Sequence, residues 1–231
     1  VKRFWAKAEV VEADGGWGVV LDGKPVKTPA RVPLVVPTEA LAEGIAAEWN
    51  DVAETIDPRA MPLTGLANAA IDRVQPARKA FAADLARYAE ADLACYRAEE
   101  PQGLVDLQSR EWDALINWGR RRFDVDFNVT TGVVHVSQPV ATVERLSHAV
   151  AALDAFHLAG LSPLVTIGGS LLAALGVLED AFDAARAWEA VSVDDRWQLE
   201  QWGSDTEAEA ALANRRRDFL AAARFLDLLE A

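Results

Sequence analysis

Cys95 and the three histidines, His135, His148 and His157, are the side chains here that could serve as a nucleophile and its base. A thiol attacks only as the thiolate, so Cys95 would need an imidazolium or another positive neighbour to lower its pKa. It opens the stretch "CYRAEEPQGLVDLQSREWD", residues 95–113, which also holds a Pro-Gly break, dense charge and Trp112. Such a stretch reads either as the rim of an active site or as a structural corner. The apolar stripe ahead of it, Phe81, Leu85, Tyr88 and Ala89, ends a helix near Cys95. The dipole at a helix C-terminus opposes a thiolate, and Arg97 is a weak counterweight. The corner is therefore expected, with Pro101 and Gly103 turning the chain, Glu99, Glu100 and Arg110 capping and pairing there, and Cys95 as core packing.

Other chemistry finds less support. His148 and His157 fall on one expected helix, about half a turn out of phase at ~100° per residue, so they cannot share a metal from that helix. There is no HExxH pattern and no carboxylate pair at ligand spacing beside a histidine. "TIGGSLL", residues 166–172, lacks the lysine and spacing of a phosphate loop, and GxGxxG is absent. Gly168 and Gly169 read as a helix break or a close packing point. No catalytic residue, metal or cofactor is expected.

Two features remain. Tryptophans are frequent, and Trp112 and Trp188 fit a core. Trp197 and Trp202 instead flank Glu200 in the polar segment "DDRWQLEQWGSD", the composition of a protein-binding hot spot. Around them residues 179–209 carry Glu179, Asp180, Asp183, Glu189, Asp194, Asp195, Glu200, Asp205, Glu207 and Glu209 against Arg186 and Arg196. This block is either a solvated helical face or an acidic docking face for a basic surface. Ser192-x-x-Asp195 and Ser204-x-x-Glu207 also have the form of capping boxes, so the same acids could serve as caps or as docking groups.

The whole-chain balance agrees with protein binding. Of 231 residues, 23 are Lys or Arg and 36 are Asp or Glu, a formal charge of −13. That is a poor match for nucleic acid or an anionic membrane, whose phosphates need clustered cations. A single cysteine excludes an internal disulfide and fits a reducing compartment. The N-terminal "VKRFWAKAEVVEADGG" has no apolar signal region. The uncharged segment 155–178 is long enough to span a bilayer, but Gly160, Pro163, Gly168 and Gly169 favour a buried helix, a break and a second buried helix.

The elements that would position these residues can be traced in order. Residues 1–36 read as β structure, with turns at Asp14-Gly15-Gly16 and Asp22-Gly23 and with Pro25 on an edge strand. Thr38 is a plausible cap for a helix striped by Leu41, Ile45 and Trp49. A loop follows at Pro58–Pro62, then a helical stretch, and Pro76 opens a long helix. Residues 123–136 read as a β excursion or extended loop. From Thr142 onward helices are expected, with Gly203 at one helix end. The fold expected is α+β, with a small β-rich domain over residues 1–75 and a larger helical domain over 76–231.

These residues carry a resemblance. "KRFWAKAEVVEADGGWGVVLDGKPVKTP", "LVVPTEALAEGIAAEWN", "IDPRAMPLTGLANAAIDRV", the 95–113 stretch and "WQLEQWG" are similar, in order and spacing, to the assembly chaperone of the F-type ATP synthase α subunit. The resemblance implies a molecular chaperone that holds the free α subunit until it joins the β subunit in the catalytic hexamer. It implies no enzymatic activity, no cofactor, no small-molecule substrate, no nucleic acid and no integral membrane contact. It implies a small α/β N-terminal domain before a helical one. A bacterial, cytoplasmic member is expected, with the mitochondrial matrix as the place of a processed eukaryotic one. An acidic C-terminal residue matters in that family; Asp194, Asp195 and Glu200 are the candidates here. With Trp197, Trp202 and Glu207 they form the expected partner-binding set. Glu48, Trp49, Cys95, Pro101, Gly103 and Trp112 are expected to be structural, although Trp49 matches a family position whose loss is damaging.

Overall fold

The computed structural model describes residues 2–132, 134–203 and 205–231, and it resolves into two units. Unit 1 comprises residues up to Arg78 together with Asp154–Gly160 and Arg224–Ala231; unit 2 comprises Lys79–Leu153 and Leu161–Ala223.

Unit 1 begins with a hairpin of β1 (Ala8–Ala13) and β2 (Gly16–Leu21), antiparallel with Ala8 opposite Leu21 and Ala13 opposite Gly16. Two short strands, β3 (Lys24–Pro25) and β4 (Val35–Val36), pair in tandem along the other side of β2. Asp22 (φ 49°) and Gly23 (φ 80°) make the tight turn between β2 and β3, the left-handed backbone that Asp-Gly tolerates. Thr38 caps α1 (Glu39–Asp51) through its side chain, and Leu41, Ala42, Ile45 and Ala46 are buried. Trp5 donates its indole N–H to the Trp49 carbonyl at 3.2 Å and meets the Trp49 ring edge-on at 5.1 Å.

The helical path after the 58–62 loop is continuous, which differs from a helix opened at Pro76. α2 (Pro62–Ala69) runs through a π turn (Ala70–Val74) and a 3₁₀ turn (Gln75–Ala77) into α3 (Arg78–Ala86). The change of hydrogen-bond register absorbs the donor that Pro76 lacks. A 3₁₀ turn (Leu93–Cys95) and β5 (Tyr96–Arg97) lead to α4 (Gln102–Phe123). Pro101 is the N-cap position of α4 and Gly103 lies in its first turn, so the corner expected at this pair is the start of a helix. Asp124 closes α4 in a left-handed conformation, and β6 (Thr130–Thr131) then pairs parallel with β5.

α5 (Val140–Ala151) and α6 (Ala155–Gly168) are separate helices. His148 and His157, expected on one helix, therefore lie on two. The sequence signal for the break is Asp154, whose carboxylate accepts from the N–H groups of Phe156 and His157. α6 passes through Gly160 and Pro163 without interruption. Gly160 is a packing point: a Cβ there would stand 2.6 Å from a Leu226 methyl. The break comes at Gly169 (φ 68°) and Ser170, which caps α7 (Leu171–Leu178). No helix among the described residues is long and apolar enough to cross a membrane.

α8 (Ala184–Val191), α9 (Val193–Trp202) and α10 (Thr206–Asp227) complete the chain. On α8 the buried face is Ala187, Trp188, Ala190 and Val191, with Ala185 exposed. Gly203 (φ 87°) closes α9.

Candidate protein-docking site

The 95–113 stretch is a buried polar corner. Arg97 is 8% exposed; its Nε donates to the Ala94 carbonyl and its Nη2 to Asp113, both at 2.9 Å, and its guanidinium lies over Trp112. Gln108 accepts from the Ala98 N–H and donates to Asp194 Oδ1, each at 2.7 Å. Trp112 donates to the Ala190 carbonyl at 2.8 Å. Glu111 is buried between Arg110, its sequence neighbour, and Arg186. Arg110 thus pairs with Glu111 rather than with Glu99 or Glu100. The Gln108–Asp194 bond joins α4 to α9, the Trp112–Ala190 bond and the Glu111–Arg186 pair join it to α8, and the other bonds tie α4 to its own approach, so paired buried groups hold one arrangement.

Cys95 is 1% exposed, and burial together with the Asp92 carboxylate pushes its thiol up to about 12. At neutral pH it carries no nucleophile. Asp92 itself is buried, and desolvation raises its pKa. It accepts from the Ala94 N–H at 3.0 Å and from the Leu172 N–H at 2.9 Å. An internal carboxylate therefore satisfies a free N–H at the helix start that "GGSLL" offers. Among the described residues no group of three His, Cys, Asp or Glu could hold a metal.

The expected partner-binding residues divide sharply. Asp194 is held by Gln108, and Asp195 is paired with Arg215 at 3.0 Å. Trp197 is half-buried and its ring packs on Gly103. Glu200 and Glu207 are exposed, and no hydrogen bond or ion pair holds either carboxylate among the described residues. Trp202 is the last residue of α9; its side chain lies outside the described residues, as does Ser204. The Ser192 capping box is not formed as expected, and the Ser204 box lies outside the described residues. Ser192 donates to the Trp188 carbonyl at 2.7 Å instead of capping α9. At α10 the cap is Asp205, whose carboxylate accepts from the Glu207 N–H at 2.9 Å.

Between α9 and the start of α10 lies a cleft of about 420 Å³. Leu199, Ala208, Ala211 and Leu212 line it, with Asp195 and Asp205 as its acids and Arg215 as its cation. Arg215 is doubly engaged, by Asp195 and by the Ile167 carbonyl at 3.3 Å. The result is an apolar slot with an acidic border, able to take a side chain and orient its basic neighbours. Sequence reading missed Arg97, Gln108 and Glu111 as the latch behind this surface; the local signal for Gln108 and Glu111 is polarity on an otherwise apolar face of α4, and Arg97, in β5, has none.

In unit 1, Glu48 receives the Leu63 N–H at 2.7 Å, the Thr64 N–H at 2.8 Å and the Thr64 hydroxyl at 2.7 Å, which caps α2 across the intervening loop.

Comparison with known proteins matches this arrangement to one group. The crystal structure of Atp12 from Paracoccus denitrificans superposes with a TM-score of 0.94 and is 43% identical, covering 99% of this chain and 98% of that one. The Atu1473 protein of Agrobacterium tumefaciens gives a TM-score of 0.94 at 34% identity, over 99% of this chain and 86% of that one. The mitochondrial protein atp12 of Schizosaccharomyces pombe is 25% identical over 219 residues, 90% of this chain and 75% of its own length. The model of the ATP12 chaperone protein family matches residues 2–120, and the chain belongs to that family.

Proposed function

We propose that this chaperone holds the free α subunit of the F-type ATP synthase and releases it when the β subunit takes its place, in the cytoplasm of a bacterium. The observation that carries the reading is the family membership, in a chain whose one cysteine is buried with a thiol pKa near 12. A subunit kept from its partner exposes an apolar interface, which is an aggregation hazard. Covering it calls for a surface of roughly 800 Å² per partner, not a deep catalytic pocket. The α9–α10 cleft, with Glu200 and Glu207 free beside it, is the docking edge in this reading, and the Gln108–Asp194 and Arg215–Asp195 pairs hold its shape.

The test is light scattering after size-exclusion chromatography of this protein mixed with freshly refolded α subunit, with β subunit as control. A one-to-one complex with α alone and suppressed α aggregation are expected. The paired substitutions Glu200→Lys and Glu207→Lys should weaken that complex without lowering Tm. Absence of a complex with folded, soluble α would overturn the reading.

A further inference from the structure

A second cleft, on unit 2, has the opposite sign. Lys79 on α3, Arg87 in the turn that extends it and His148 on α5 stand around a space of about 310 Å³ lined also by Ala83, Ala86 and Val143. No hydrogen bond or ion pair holds the side chain of Lys79, Arg87 or His148 among the described residues. Of the acids on the two helices, Glu144 does not line the cleft, and Asp84 shares a neighbouring hollow with Arg87 without reaching ion-pair distance.

We propose that this cleft is a docking pocket for an acidic segment of a protein partner, one that presents carboxylates beside an apolar side chain. The charge complementarity is direct: Lys79 and Arg87 are available to carboxylates, His148 and Ser147 add hydrogen-bonding groups, and the alanines and valine between them offer only apolar surface. A bare small anion would leave that apolar lining uncovered, and the space is several times larger than such an ion needs. A leucine-sized side chain flanked by Glu or Asp uses both parts. The pocket is distinct from the acidic α9–α10 edge, and the inference does not depend on which protein supplies the segment.

Fluorescence anisotropy of the full chain, with a fluorescein-labelled peptide alternating Glu and Leu as probe, tests it. At low salt the peptide should bind, and an uncharged Ser-Leu peptide of the same length should not. The double substitution Lys79→Glu and Arg87→Glu should weaken binding at least about tenfold, since two attractive charges become repulsive. Ala83→Trp, at an exposed position, fills the cleft without changing charge and should weaken binding to a similar degree, with thermal unfolding showing that each variant is folded. No binding by the wild type, unchanged binding by either variant, equal binding of the Ser-Leu peptide, or full displacement by inorganic phosphate at constant ionic strength would each overturn the proposal. The last outcome would mark a small-anion site instead.

Discussion

Gly103 leaves its side-chain space to Trp197: a Cβ on Gly103 would stand 2.7 Å from Cη2 of the indole and 3.3 Å from Cζ3. The first turn of α4 and the middle of α9 meet at this point. Trp197 therefore has part of its ring committed to the fold, and the docking edge beside it is built on a fixed support.

Gly103→Ala sets two effects against each other. Alanine gains ~1 kcal/mol of helix propensity over glycine, while overpacking against a rigid ring costs ~1–3 kcal/mol. Net destabilisation of about 1 kcal/mol is expected from denaturant unfolding. In a Trp197→Ala background the clash is gone and the same substitution should stabilise. A double-mutant cycle without that reversal of sign would refute the contact.

Glu48→Ala should destabilise the protein by about 1–3 kcal/mol, because the Leu63 and Thr64 N–H groups and the Thr64 hydroxyl lose their acceptor together. Glu48→Gln retains an acceptor and should cost less. Equal losses for the two variants would mean that the carboxylate does not cap α2.

His157 sets a pH limit on unit 1. It sits between Asp154 at 3.0 Å and Glu230 at 2.9 Å, and the Asp154 hydrogen bond leads in raising it from 6.5 to about 9. Asp154 is correspondingly lowered from 3.8 to about 2, chiefly by the His157 hydrogen bond. A raised histidine stabilises fully below 6.5 and loses that contribution as pH climbs towards 9; a lowered aspartate stabilises above 3.8 and loses it as pH falls towards 2. Tm of the wild type should fall between pH 6.5 and 9.5 relative to His157→Ala. Parallel Tm profiles for the two proteins would remove the clamp from the account.

Cys95 should not react with a thiol reagent in the native protein at pH 8 and should react once the chain unfolds, as a buried thiol held near 12 requires. Cys95→Ala should leave client binding intact. Native reactivity at the rate of a free thiol would reopen the nucleophile reading.

Local features were legible in the sequence because their physics is local. The Asp22-Gly23 turn, the Thr38 cap, the Leu41–Ile45 stripe, the break before Ser170 and the end of α9 at Gly203 each depend on residues a few positions apart. The Ser192 capping box misled because that hydroxyl had a competing acceptor, the Trp188 carbonyl one turn back. Gly160 and Pro163 misled because propensity counts against them while packing on Leu226 favours the glycine.

The sequence by itself determined the α+β class, the family and the acidic character of the C-terminal helices, since these follow from composition, period and motif order. Only the tertiary structure decided which acids are free. Asp194 is met by Gln108 and Asp195 by Arg215, while Glu200 and Glu207 are not, and Asp92 is spent on a helix start far along the chain. It also returned residues 154–160 and 224–231 to unit 1. Hydrogen bonds and ion pairs reach only about 3–4 Å, and which side chains come that close across such separations is set by packing, which no local spacing encodes.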